Sequence, residues 1–116
     1  RVRRAQFHAA REVAFEDEEP AILVGDLNAA PLVVRDYSVF TKDLIDVWAA
    51  KHRFPLAKRF LGRTNPVLPV PARRIDYILS SRDIRPVSAK THRTHASDHL
   101  PVVAELEIPH PAPQSA

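Results

Sequence analysis

The sequence contains no cysteine and only 2 glycines, against 11 prolines in 116 residues. Without cysteine, a disulfide scaffold, a thiol nucleophile and cysteine-ligated zinc are all excluded. Long apolar runs are also lacking, since a stretch such as Ala21–Val24 is far too short to cross a membrane. The opening residues Arg1–Arg4 lead into no apolar segment of the kind found in secretory signals. We therefore expect a cytoplasmic protein with no transmembrane segment.

The residues that are present are those of an ordinary globular domain. Apolar residues make up 45% of the chain, which excludes a disordered or low-complexity protein, and 116 residues suffice for one domain. The formal net charge is only +3, but residues 51–75 carry several basic residues and no acidic one. Such a segment attracts phosphate groups, although a solvated basic loop is the alternative interpretation.

Hydrophobic spacing predicts two helices and four strands. A helix is expected over residues 1–15, with Phe7 and Val13 on its apolar face, and a second runs from Thr41, as the N-cap, to Lys51. Strands are expected at residues 21–24, 74–80, 84–89 and 102–108. The proline-containing basic segment 52–72 is predicted to be a long loop, and residues 109–116 a disordered tail.

Two of these strands have informative patterns. The continuous apolar run Ala21–Val24 is typical of a strand buried on both faces. The last strand alternates, so that Val102, Ala104, Leu106 and Ile108 are expected to face inward.

Asp26 and Asn28 directly follow the first strand. Two positions apart in extended chain, their side chains point to the same side. A carboxylate can orient or deprotonate water, and a neighbouring carboxamide can donate to an oxyanion. The alternative is ordinary turn chemistry, for which Asp and Asn are favoured.

Two further polar groups lie on or beside the later strands. Asp76 is costly within an apolar strand unless it is paired, either with an arginine in a structural bridge or with an active-site base. The adjacent Asp98 and His99 combine a metal-ready carboxylate with a titratable imidazole, or are merely polar surface. The His95–His99 spacing could suggest zinc, but Pro101 argues against the helix that such a pair requires.

Together these segments resemble the C-terminal half of the endonuclease/exonuclease/phosphatase superfamily, which has the deoxyribonuclease-I-like fold. The resemblance rests on three ordered motifs, Gly25-Asp-Leu-Asn28, Arg74-Ile-Asp-Tyr77 and Ser97-Asp-His99 followed by Leu-Pro-Val. Weaker matches are Arg3-x-x-Gln6 and Thr64. The resemblance implies a metal-dependent hydrolase of phosphoesters that uses Mg2+, with Mn2+ as an alternative ion.

The resemblance also implies roles for single residues. Asp26 would orient and deprotonate the attacking water, and Asn28 would help to hold that water and the phosphate. His99 would stabilise or protonate a phosphoryl oxygen, while Asp76 would orient and charge-balance His99. These four residues form the expected catalytic set.

The remaining implied roles concern binding. Asp98 would contribute to the metal site, and Thr64 and Arg73, together with Asn28, are the expected contacts to a phosphate-bearing substrate. DNA is one candidate substrate, and RNA, inositol phosphates and lipids are others. A noncatalytic phosphate- or nucleic-acid-binding fragment is the alternative to an enzyme.

The implied fold is α+β, with residues 1–108 forming the C-terminal portion of a deoxyribonuclease-I-like sandwich. We expect one mixed or antiparallel sheet of about four strands, with the two helices packed on one face. The family's N-terminal half supplies an Asn and a Glu that bind the metal, and no segment here matches them. An apolar sheet face should therefore be exposed, or covered by that missing half or by a second chain.

Overall fold

The structure is a computed structural model that describes residues 2–27, 37–52, 64 and 74–110. Within these ranges the chain forms the following elements in order: α1 (Val2–Phe15), β1 (Ile22–Asp26), α2 (Tyr37–Thr41), β2 (Ile45–Asp46), α3 (Val47–Lys51), β3 (Asp76–Ser80), β4 (Arg85–Thr91) and β5 (Val102–Glu107).

β3 is the central strand of a three-stranded antiparallel sheet. It pairs with β1 along one edge and with the short β2 along the other. In the β1–β3 ladder, Val24 lies opposite Ile78 and Asp26 lies opposite Asp76. Directly opposed residues in an antiparallel pair project to the same face of the sheet. The register thus places two apolar side chains and two carboxylates in line on one face.

The opposite face of this sheet is covered by α1 and α2. Phe7 and Phe40 bring the two helices together, with ring centroids 4.7 Å apart. Both rings pack with Tyr77 and Leu79 of β3, and all four side chains are buried. The apolar spacing of α1 therefore serves to bury this face of the central strand.

A second sheet and α3 form a separate core. β4 and β5 pair in an antiparallel ladder, with an irregularity between Pro86 and Ser88. Val47 and Trp48 of α3 pack against Ala89 of β4, and the inward side chains of β5 complete this cluster. Because Ile78 of β3 also contacts it, the cluster lies on the sheet face that carries the two carboxylates.

A buried ion pair joins α3 to the start of β3. The guanidinium group of Arg74 donates two hydrogen bonds to the carboxylate of Asp46, at 2.8 and 2.6 Å. Asp46 also caps α3 by accepting from the amide of Ala49, and it accepts a hydrogen bond from the hydroxyl group of Tyr37. Burial lowers the pKa of Arg74, but the hydrogen bonds and charge of Asp46 outweigh this effect and raise it.

The expected α+β class is confirmed, but the strands are arranged differently from the single sheet that was expected. The described strands form two antiparallel sheets, one in which β3 pairs with β1 and β2, and one in which β4 pairs with β5. The helix expected over residues 41–51 is also wrong. Thr41 ends α2, and Ile45–Asp46 pairs with β3 before α3 begins. Among the described helices, α1 and α2 cover the face that carries Tyr77 and Leu79, whereas α3 packs on the face that carries Ile78.

Several apolar side chains that were expected inside are exposed. β1 was expected to be buried on both faces, yet Val24 is 63% exposed and Ile22 is 44% exposed. Val13 of α1 and Ile108 after β5 are likewise exposed rather than inward-facing. The reason in β1 is that Leu23 alone of this apolar run packs against the core, while the face shared with Ile78 is only partly covered.

In the described ranges, no helix has both the length and the apolar composition needed to traverse a bilayer. The predicted loop over residues 52–72 falls almost wholly outside the described residues, as does most of the predicted tail.

The Asp46→Asn variant should strongly destabilise the protein. Asparagine can still cap α3, but it leaves the buried Arg74 charge without its counter-ion, at an expected cost of about 3–5 kcal/mol in unfolding free energy. Denaturant-induced unfolding measures this loss. As a control, Glu107→Gln disrupts the exposed pair with Arg85, whose side chains are 62% and 67% exposed, and should cost about 0–1 kcal/mol. Equal losses in the two variants would contradict a stabilising role of the buried pair.

Candidate active site

The site begins with two carboxylates that end the β1–β3 ladder. Asp26 is the last residue of β1 and Asp76 the first of β3, and they oppose each other directly. The following amide, of Leu27, donates to the carbonyl of Ile75 at 2.8 Å, so the pairing continues just beyond the strand. Like charges opposed across a ladder destabilise a sheet. The pair is therefore unfavourable for the sheet unless a positively charged group lies close to it.

His99 enters from the loop before β5 and lies between the two carboxylates. Its Nδ1 is 2.8 Å from Oδ2 of Asp76, and its Nε2 is 4.0 Å from Oδ2 of Asp26. Because an ionised carboxylate only accepts, Nδ1 must carry the proton of the shorter contact. This fixes the orientation of the ring and directs Nε2 towards Asp26.

The loop that carries His99 is tied to the rest of the protein by its backbone. The amide of His99 donates to Oγ of Ser97 at 3.1 Å. The next amide, of Leu100, donates to the carbonyl of Thr64 at 2.6 Å, and the carbonyl of Pro101 accepts from the amide of His92. The imidazole is thus presented by a short, anchored turn that leads directly into β5.

The neighbouring carboxylates raise the pKa of His99. The largest contribution is the hydrogen bond with Asp76, and the charge of the same carboxylate adds to it. Burial acts in the opposite direction, while the charges of Asp98 and Asp26 raise the pKa further. The imidazole therefore keeps its proton to a higher pH than an isolated histidine does.

The three side chains line an open cleft of about 570 Å3. Its polar end is formed by Asp26, Asp76 and His99, whereas Val24 and Ile78 belong to its apolar wall. The cleft therefore adjoins the apolar sheet face described above.

Within the described part of the chain, the donor atoms that converge enough to hold a metal ion belong to this same trio. One ligand atom each from Asp26, Asp76 and His99 lies within 4.8 Å of the other two. Asp98, the residue expected to bind metal, is exposed and does not belong to this group. The hydroxyl group of the preceding residue, Ser97, lies 3.4 Å from the carboxylate of Asp98.

The other expected site residues are either buried or outside the described part of the chain. Thr64 is fully buried, which does not fit a direct contact with substrate. Asn28 and Arg73 lie outside the described residues, as does most of the basic segment. Asp76 was expected to pair either with an arginine or with an active-site base. It contacts the imidazole of His99, whereas Arg74 bonds to Asp46, so the partner of Asp76 is not this arginine.

Sequence reasoning missed the buried Asp46–Arg74 pair. Asp46 was placed inside a predicted helix. An acidic residue directly between two apolar neighbours is unusual there and suggests a buried partner. That position, together with an arginine directly before an apolar strand, was the available signal for a buried pair.

The described residues thus form an α+β layer with a carboxylate–imidazole pair at one end of a sheet. The chain belongs to the endonuclease/exonuclease/phosphatase family, whose sequence profile matches residues 1–99. No curated protein matches the sequence significantly.

Two solved structures resemble the chain. The endonuclease/exonuclease/phosphatase from Bacteroides vulgatus is 22% identical, with a TM-score of 0.73 over 92% of this chain. The mannosyl-6-phosphatase of Bacteroides thetaiotaomicron is 23% identical, with a TM-score of 0.58 over 91% of this chain. The likeness confirms the deoxyribonuclease-I-like fold. In both cases the chain spans only 44% of the other protein's length.

The Asp76→Asn variant should lower the pKa of His99 towards the ordinary histidine value of 6.5. The change removes the charge and the strongest hydrogen-bond acceptor that favour the imidazolium ion, so the sign of the shift is downward. Titration of the His99 ring signals by NMR measures it. Asp98→Asn is the matched control and should produce a smaller fall, since Asp98 acts through its charge alone. A fall in the control as large as that in Asp76→Asn would contradict the assigned pairing.

Proposed function

We propose that this chain supplies the C-terminal half of the active site of a metal-dependent phosphoester hydrolase. The observation that carries the proposal is the convergence of Asp26, Asp76 and His99 at the end of one ladder. Membership of the endonuclease/exonuclease/phosphatase family supports the same reaction class.

The reaction is hydrolysis by direct attack of water on phosphorus. Asp26, the more exposed carboxylate, orients the water and accepts its proton as the new P–O bond forms. The bond to the leaving oxygen breaks without a covalent intermediate on the protein, and that oxygen keeps the bonding electrons and takes up a proton from solvent. Protonated His99 stabilises the negative charge on a phosphoryl oxygen, and Asp76 holds its ring and balances its charge.

The donor set fits a divalent cation. Two carboxylates lie close together beside His99, and Mg2+ is commonly held by one or two carboxylates together with water and substrate phosphate. Asp26 would hold the ion with help from Asp98, whose charge lies near His99, while Asp76 stays bonded to the imidazole. When bound, Mg2+, or Mn2+ in its place, neutralises charge on the phosphate. The carboxylate oxygens that face the cleft are the atoms this chain offers to it.

The substrate is proposed from charge. The basic segment 51–75 and the net charge of +3 favour a polyanion, with DNA as a candidate. One structural neighbour is a mannosyl-6-phosphatase, so a phosphomonoester is the competing substrate class. Parallel assays on an abasic-site duplex, a plain duplex and a sugar phosphate distinguish the two.

The Asp26→Asn variant should lower Mg2+-dependent hydrolysis by about 10²–10⁴-fold, the usual contribution of a general base. Turnover is measured for this chain and for any longer reading frame that contains it. Asp43→Asn is the control, because Asp43 is a partly exposed carboxylate that pairs with Arg11 and does not line the cleft.

Two outcomes would contradict the hydrolase. One is the absence of turnover in a longer version that carries a complete set of metal ligands. The other is unchanged turnover in Asp26→Asn. If the chain instead binds phosphate without catalysis, binding should persist in Asp26→Asn while no variant hydrolyses the substrate.

We further propose that the apolar face of β1 and β3 contacts the N-terminal half of the family fold. Val24 is the most exposed apolar residue of this face, and it adjoins the cleft. A contact there would bring the additional metal ligands of the other half to Asp26 and His99. The proposed role of residues 1–108 as the C-terminal portion of the fold depends on this contact.

The Val24→Lys variant should weaken binding to a separately produced N-terminal half of a family member by about tenfold or more, because a lysine would be buried without a partner. Isothermal titration calorimetry measures the affinity. Val13→Lys is the matched control, since Val13 is similarly exposed but lies on α1. Equal affinity of the two variants would place the contact elsewhere.

A further inference from the structure

Thr64 is fully buried beside the site, and its described hydrogen bonds all go to backbone amides. Its Oγ1 accepts from the amide of Ile75 at 3.0 Å and from that of Asp76 at 3.2 Å. Its carbonyl oxygen accepts a third hydrogen bond, of 2.6 Å, from the amide of Leu100. These amides belong to two separate segments, one carrying Asp76 and the other carrying His99.

The two segments meet through side chains as well as through Thr64. The side-chain contact is the 2.8 Å hydrogen bond between Asp76 and His99. Thr64 holds the backbone of Asp76 directly and holds the backbone of His99 through the next residue. Buried amides are costly to leave unsatisfied, so these contacts strongly favour a single relative position of the two segments.

We propose that Thr64 is a positioning residue that joins the strand bearing Asp76 to the loop bearing His99 and so sets the hydrogen bond between their side chains. The proposal rests on the catalytic role proposed above for that pair. It replaces the substrate contact expected from the sequence, because the hydroxyl group has no exposed surface and is occupied by two amides.

The test is the Thr64→Val variant of the 116-residue chain, which keeps the shape of the side chain but removes the acceptor. With the two amides released, Asp76 should shift relative to His99, and the pKa of His99 measured by NMR should fall. The Thr64→Ser variant retains the oxygen and should keep the raised pKa. The comparison of the two variants distinguishes the effect of losing the hydrogen-bond acceptor from the effect of changing the side-chain volume.

Ser81→Ala is the matched control at the opposite end of the same strand pair. The Ser81 hydroxyl is also buried and accepts from a backbone amide, that of Ala21, at 2.9 Å. Its removal should lower the melting temperature without moving the pKa of His99. A general loss of stability would therefore not imitate the expected result.

The proposal is wrong if Thr64→Val folds and the pKa of His99 stays at its wild-type value. Loss of inorganic phosphate binding in that variant, with an unchanged pKa, would instead make Thr64 a substrate contact. If Thr64→Val does not fold, hydrogen exchange of backbone amides in the unaltered chain tests the proposal instead. The amides of Asp76 and Leu100 should exchange at least about tenfold more slowly than exposed amides, and fast exchange would overturn the proposal.

These measurements require no turnover. Failure of the proposed hydrolase would appear as absent catalysis with the expected pKa pattern intact, whereas failure of the positioning role would appear in the pKa values themselves.

Discussion

The register of β1 against β3 is the constraint on which the site depends. A slip of one residue would turn one carboxylate to the opposite face, because successive side chains in a strand alternate. The ladder places Asp26 opposite Asp76, and the buried Arg74–Asp46 pair lies immediately before it. β3 carries one of the two carboxylates that repel each other. It is held in place by the neighbouring strands on both of its edges and by the ion pair just before it.

Much of the site could be predicted from the sequence because its residues follow local rules. A carboxylate after an apolar run lies at a strand end, and an acidic residue inside an apolar strand needs a partner. Asp26 and Asp76 were found by these rules, and the same strand pattern identified the segment that became β3. The loop position of His99 followed from its place before an alternating strand.

What could not be predicted was decided by contacts between distant residues. Periodicity favours a helix over residues 41–51, but Ile45 gains a ladder partner in β3 and Asp46 gains Arg74, so the helix is interrupted. The division into two sheets likewise depends on which strands meet, since β3 pairs with β1 and β2 whereas β4 pairs with β5. The role of Thr64 was hidden because its partners are backbone amides, which no sequence pattern identifies.

β1 also bears on how the chain behaves during production. It lies at one edge of the three-stranded sheet in the described part of the chain, and its Ile22–Val24 run contains no lysine or proline. Apolar edge strands invite intermolecular pairing and aggregation. The acidic run Glu16–Glu19 and Pro20 stand directly before this strand, where gatekeeper residues commonly oppose such association. Neutralising this acidic connection between α1 and β1 by substitution would therefore remove charges that oppose intermolecular pairing.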